Sequence, residues 1–325
     1  MYNKELKERF ITEFSTNIGR RHTATVMFDA LEQQETQWGA DICTRSQEEL
    51  RPVVGDLIGF RESSQKTRLT ILRAYVKWCI KNHVEGACDE LLKIEDFGLD
   101  KLKRQMVANP QHLQRYLNCI LEKESEQTVD NVFRCYYWLA YGGVSEEDAF
   151  DLKISDVDLT EMVVRYNGVE YPIYREAIPA FKNCIELQSF KFIHPNIVNK
   201  DVYKSRAAGD KLLRGISEKK SIKAMRVEMS KRQKNQKYRL ESTKDDASLD
   251  LQLSFYRVGL SGLFYRTYEA ERAGMPADFM AAAGQFMEGK TYKLDSGRNL
   301  IGAKQRRVAV EYLEDYKRWK EAYAI

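Results

Sequence analysis

The chain of 325 residues lacks most of what a metal centre, a secretory route or a membrane span requires. Its six cysteines (Cys43, Cys79, Cys88, Cys119, Cys135, Cys184) form no C-x-x-C pair and take no metal-ligand spacing with the four histidines. They read as reduced thiols of a cytoplasmic protein, with no metal and no cofactor expected. No charged stretch followed by an apolar one opens the sequence, and no run of about 18 apolar residues occurs, which argues against a secreted or membrane-bound role. Histidine occurs only at 22, 83, 112 and 194, so everything from Pro195 to Ile325 is without an imidazole. No lysine lies between Lys153 and Lys182.

What is present is an uneven charge. From Lys200 to Arg239 there are fourteen Lys/Arg against four acids, a local +10 in a chain whose total is +4, which leaves −6 on the other 285 residues. A concentrated basic segment on a mildly acidic protein is the footprint of a polyanion partner, and nucleic acid is the main candidate. The alternative is a solvated, lysine-rich linker. Against it stands the scarcity of acids at i, i+4 spacing in MSKRQKNQKYR.

Helical patterning dominates the first hundred residues. Leu6, Phe10 and Phe14, then Val26, Met27, Ala30 and Leu31, give a helix pair broken near Asn17 to Gly19. Ser46 before Glu48 and Glu49 starts another helix, and a third opens near Ser63 or Ser64 and carries Leu69, Leu72, Tyr75, Val76, Cys79 and Ile80. Periodicity fades from Gly86 to about Lys103, which places a boundary between a domain at 1–100 and one at 101–325. Asn109-Pro110 then restarts a helix. In EMVVRYNGVEYPIYRE, Asn167-Gly168 separates two alternating runs and predicts a hairpin.

Between these lies LAYGGVSEEDAFDLKISDV, Leu139 to Val157. Read locally, apolar residues from Val132 to Ala140 recur at helical spacing and bury one wide face of an amphipathic helix, Gly142 and Gly143 stop it, and Ser145 caps a second helix with Glu146, Glu147 and Asp148 in its first turn. The stretch also resembles the first catalytic box of tyrosine recombinases (phage integrases), roughly L-A-Y-T-G-L-R-I-S-E-L-L-A-L-R-W-S-D-I. Gly143, Val144, Asp148, Leu152, Ser155 and Asp156 fall on their family counterparts without a shift. Ser145 stands where the family has the arginine that clamps the scissile phosphate.

The resemblance implies a mainly α fold with a small β-sheet, built from an all-α SAM-like core-binding domain and an integrase-catalytic-like domain. SSQKTRLTILRAYVKWCIKNH is similar to the signature helix of the first, with Thr67, Leu72 or Tyr75, and Trp78 in place. The hairpin lysine that serves the family as general acid has no counterpart. RVGLSGLFYRTYEAERAG resembles the second box, with Leu263 at the arginine position and Gly259 or Leu260 at that of the histidine. The third box falls at Ala283-Gly284-Gln285, where Gln285 replaces a histidine, and Tyr292 lies about two residues before the nucleophile position. An isolated phenol without clamp arginines or an acid–base partner is a poor nucleophile.

The reading is therefore a degenerate, non-enzymatic recombinase fold that binds double-stranded DNA, and the combination looks like the integrase-fold master repressors of SPβ-type prophages. That resemblance implies sequence-specific repression at operator-like sites, a nucleoid-associated location and maintenance of lysogeny. Candidate phosphate contacts are Lys66, Arg68, Arg73 and Lys77 in the N-terminal domain, and Lys204, Arg206, Lys211, Arg214, Arg257 and Arg266 in the second. Two alternatives stay open: an active integrase rebuilt from Arg257 or Arg266 with Tyr292, and a DNA-independent interaction module. From Gly302 onward, Val308, Val310, Leu313, Tyr316, Trp319 and Tyr323 form an apolar stripe that either folds back or joins a homo-oligomer on DNA.

Overall fold

The computed structural model describes residues 1–57, 62–94, 99–121, 128–192, 202–214, 222–243, 249–287 and 301–325. Its helices are α1 (Lys4–Phe14), α2 (Ile18–Trp38), α3 (Gln47–Leu57), α4 (Glu62–Lys81), α5 (Asp100–Lys103), α6 (Pro110–Ile120), α7 (Asp130–Gly142), α8 (Glu146–Asp151), α9 (Ile178–Glu186), α10 (Ile222–Thr243), α11 (Phe255–Arg272), α12 (Met280–Met287) and α13 (Ile301–Tyr323). Strands β1 (Val157–Asp158), β2 (Val163–Tyr166) and β3 (Val169–Pro172) form one antiparallel sheet, and β4 (Ser189–Phe192) pairs with β5 (Val202–Ser205) in another. The fold is mainly α with small antiparallel sheets. No described helix is long and apolar enough to cross a membrane.

The chain forms two compact units. The first contains Met1–Leu102 together with Asp278–Ile325, and the second Lys103–Ala277. The division falls close to residue 100, but residues 278–325 group with the N-terminal segment and not with 103–277 as the sequence suggested.

Local chemistry explains the starts of the helices in the first unit. The side chain of Asn17 accepts from the Arg20 amide at 3.0 Å, and Ser46 and Glu49 exchange bonds across the first turn of α3. Phe10, Phe28 and Tyr75 then meet edge to face, with Phe28 and Tyr75 at 4.8 Å. Beside these rings the fully buried Lys7 pairs with Glu35 and lies 3.7 Å from Asp41, and Tyr75 donates to Asp41 at 2.9 Å. Helix α13 lies against α12 and α4. Tyr316 and Trp319 are buried there, and Phe279 packs on Tyr316 at 5.5 Å. The aromatic stripe of the tail is thus occupied within its own unit, while Val310 stays exposed.

The second unit is built around α7, every residue of which is buried. Helix α11 crosses it where Gly262 leaves room for the Tyr141 carbonyl. Gly143 ends α7 at φ 102°, a left-handed conformation that glycine takes without steric cost. Asn167 and Gly168 both have positive φ, 51° and 77°, which gives the twist required of a two-residue hairpin. The basic segment is not one stretch of surface. Its described parts are β5, a loop at 206–214 and α10.

Candidate nucleic-acid interface

The turn after α7 carries Ser145, where the sequence resemblance would place a phosphate-clamping arginine. Ser145 Oγ accepts from the Asp148 amide at 3.1 Å and donates to Asp148 Oδ2 at 2.7 Å, so the hydroxyl is used to start α8. On the other side of the turn Arg266, reaching across from α11, donates to the Tyr141 carbonyl at 2.5 Å. Its guanidinium covers Gly143, where an added Cβ would stand 2.9 Å from Nη2. Arg266 is therefore a cap on the last turn of α7, placed where cations favour a helix C-terminus. Leu263 is half-buried one turn earlier on α11. Hairpin β2–β3 presents Arg165, which is bound to Asp158 at 3.0 Å and Glu170 at 2.8 Å.

Several of the basic residues singled out in the sequence hold the fold together. Arg206 is 7 % exposed and donates to the carbonyls of Arg214 at 3.0 Å and Leu212 at 2.6 Å, and also to that of Cys184. Every nitrogen of the guanidinium is consumed by backbone oxygen, so Arg206 is corrected from phosphate contact to keystone of the 206–214 loop. Arg214 donates to Ala207 and Lys211 carbonyls at 3.0 and 2.9 Å, and burial lowers its pKa. Lys211 binds the side chain and carbonyl of Asp151, both at 2.9 Å. Arg257 is half-buried and donates to Gln252 O at 2.8 Å. Of this group Lys204, on β5, is exposed.

Helix α4 divides in the same way. Lys66 and Lys77 are exposed, whereas Arg68 donates to Leu57 O and Arg73 to Ile94 O at 2.6 Å, tying down the ends of neighbouring segments. Gln285 is exposed on α12. Tyr292 lies outside the described residues, as do Lys200, Lys219 and Lys220.

One exposed cationic surface of the second unit is the first half of α10, which charge counting located only as part of a longer run. Met225 and Met229 are buried, and this i, i+4 pair fixes which side of the helix faces the core. Arg232 pairs with Asp130 at 2.6 Å and lies 4.4 Å from the centre of the Phe133 ring. Arg226 makes a two-pronged pair with Glu146, whose side chain is 10 % exposed. Tyr136 donates to the same carboxylate, and burial followed by this bond pushes its phenol pKa up. With that side anchored, Lys223, Val227, Lys231 and Lys234 share the opposite, exposed side. The two methionines inside a basic helix were the signal that could have separated anchoring from surface cations.

Comparison with known proteins adds a match over the N-terminal quarter. Residues 1–81 match the family model described as MrpR, N-terminal core-binding domain. No curated protein matches the chain. Among solved structures it is similar to a chain titled "Crystal structure of XerA recombinase", at 13 % identity and a TM-score of 0.34, covering 84 % of this chain and 86 % of that one.

Proposed function

We propose that this protein binds double-stranded DNA in a sequence-specific way without cutting it, and acts as a prophage transcriptional repressor that maintains lysogeny. The observation that carries the reading is the position of Ser145. A residue that takes the place of a phosphate-clamping arginine spends its hydroxyl on a helix cap, in a chain with no lysine on the hairpin and no histidine beyond His194. Phosphoryl transfer depends on positioning and charge neutralisation, so removal of those groups abolishes cleavage while leaving a DNA-shaped surface. The match of residues 1–81 to a core-binding domain supports nucleic acid as the partner. So does the exposed lysine side of α10, on which Lys231 also pairs with Glu228 at 3.2 Å.

Assembly of several copies on an operator belongs to this reading and, with Tyr316 and Trp319 buried within one unit, would draw on other surfaces. The test is a gel shift on DNA flanking the gene, run across a salt series, alongside denaturing electrophoresis for covalent adducts. A shift that weakens steeply with salt and leaves no adduct is the expected result. An adduct abolished by Tyr292→Phe would establish a recombinase, and absence of any shift would leave a protein-interaction module.

A further inference from the structure

On the second unit a cleft of about 460 Å³ opens between α10, the first turn of α11 and α7. Its floor is apolar, with Tyr136, Leu251 and Phe255 each less than one-tenth exposed. Its mouth is cationic: Arg226, Lys234 and Arg257 line it against Asp250, the one acid among the described lining residues. Neither Ser145 nor Leu263 lines it, although Tyr136 and Arg226 on its wall both bond to Glu146, the residue after Ser145.

The cations are held in place. Arg226 is fixed by its two-pronged contact with Glu146, and Arg257 by Gln252 O at 2.8 Å. Gln233 Nε2 donates to Leu253 O at 2.6 Å and ties α10 to the segment that leads into α11. Burial lowers the pKa of the Arg257 guanidinium, a desolvation cost that a bound anion would relieve.

We propose that this cleft binds a small phosphate monoester with an apolar or aromatic body, of the size of a mononucleotide. A phosphate monoester carries about −1.5 to −2 charge near pH 7, which suits a mouth where Lys234 and Arg257 stand against Asp250, the charge of Arg226 being already met by Glu146. The cleft falls within the range of about 300–1,000 Å³ typical of small-ligand sites, in which an apolar floor receives the body and a few polar groups fix the orientation. A free ester and a nucleotide of bound DNA would present the same chemistry, and the proposal commits to the free ester.

Isothermal titration of the full chain with phenyl phosphate, AMP, inorganic phosphate and phenol tests it. Phenyl phosphate and AMP should bind one site at least about tenfold more tightly than inorganic phosphate, with phenol silent, because each half alone supplies only one of the two contacts. Lys234→Met and Arg257→Met should each weaken phenyl phosphate about tenfold, the size of one charge-assisted contact. Lys81→Met, on the exposed side of α4, should change nothing. If Arg257→Met does not fold, the exposed Lys234 carries the comparison alone. Equal affinity for phenyl phosphate and inorganic phosphate, or affinity untouched by Lys234→Met, overturns the proposal. Retention of the ester in the presence of saturating duplex supports the free ligand, and its stoichiometric displacement overturns that source in favour of the duplex. A gel shift without ester keeps the two readings apart: ester binding without a shift refutes only the DNA reading, and a shift without ester binding refutes only the cleft.

Discussion

Gly262 of α11 and Tyr141 of α7 approach so closely that a Cβ on Gly262 would stand 1.9 Å from the Tyr141 carbonyl oxygen. One turn earlier a Cβ on Gly259 would stand 3.3 Å from the Ala140 oxygen. Backbone faces backbone at the crossing, and no rotamer change can relieve an added methyl. Gly262→Ala should therefore cost more than about 3 kcal/mol, and Gly259→Ala about 1 kcal/mol, because the latter overlap can be absorbed by a small shift. Denaturant titration of the two variants checks the order. Equal losses would show that the helices slide freely at this point.

On the proposed reading, an arginine at position 145 should not confer cleavage. Ser145→Arg removes the cap on α8 and should destabilise the protein by about 1 kcal/mol. It should still form no adduct with cognate DNA, because neither the hairpin lysine nor the histidines return with it. Melting curves and denaturing gels give the two readouts, and an adduct would mean that the remaining groups suffice for cleavage.

The exposed lysines of α10 and the buried arginine of the 206–214 loop should separate cleanly. Changing Lys223 and Lys231 together to Gln should leave the melting temperature near that of the parent and reduce the log–log salt slope of DNA binding by about 2. Arg206→Met should instead cost several kcal/mol, by orphaning the Cys184, Leu212 and Arg214 carbonyls. An unchanged slope in the double variant would assign these two lysines to solvent.

The tail offers a direct choice between internal packing and exchange. Trp319 is fully buried, so Trp319→Ala should cost about 3–5 kcal/mol. Deletion after Leu313, which also removes Tyr316, should unfold the first unit. A truncated protein that melts normally but loses cooperativity on DNA would show that the helix works between copies.

Buried Lys7 and Glu35 make a pH prediction with a definite sign. Burial raises the Glu35 pKa above the ordinary carboxylate range, and Lys7 pulls it down. In Lys7→Met the counter-charge is lost and the carboxyl rises further, so the folded state binds its proton more tightly than the unfolded chain does. Stability of the variant should be greatest at low pH and fall as pH rises through the folded pKa of Glu35. At neutral pH the loss relative to the parent should be about 3–5 kcal/mol, the cost of breaking a buried pair. Urea titrations at pH 4 and pH 7 test this, and equal losses at both would exclude Glu35 as the cause.

The sequence was legible wherever structure depends on neighbours within a few residues. Asn17, Ser46, Asn109 and Ser145 cap helices, and Asn167-Gly168 makes a hairpin, because each motif carries its own hydrogen bonds and dihedral preferences. It was silent where a side chain is satisfied from far away. Glu146 and Asp130, which neutralise Arg226 and, together with Glu228, Arg232, lie far away in sequence, so the basic run looked less compensated than it is. Arg206, Arg214 and Arg266 counted as positive charge, yet their donors are spent on carbonyls that residue type cannot locate. The tail's aromatic spacing was equally compatible with packing inside or outside the chain, since periodicity describes one face and not its occupant.

The grouping of Asp278–Ile325 with Met1–Leu102 has a consequence for how the molecule is made. Residues 103–277 are contiguous, so the second unit can reach its native contacts as soon as that stretch has left the ribosome. The first unit cannot. Its helices emerge early but keep Tyr316 and Trp319 as missing pieces until the whole of the other unit has been synthesised, which makes it the part of high contact order and slow closure. During that interval the side of α4 that α13 comes to cover stays exposed, and premature termination anywhere after Ala277 would leave a folded second unit attached to an open first one.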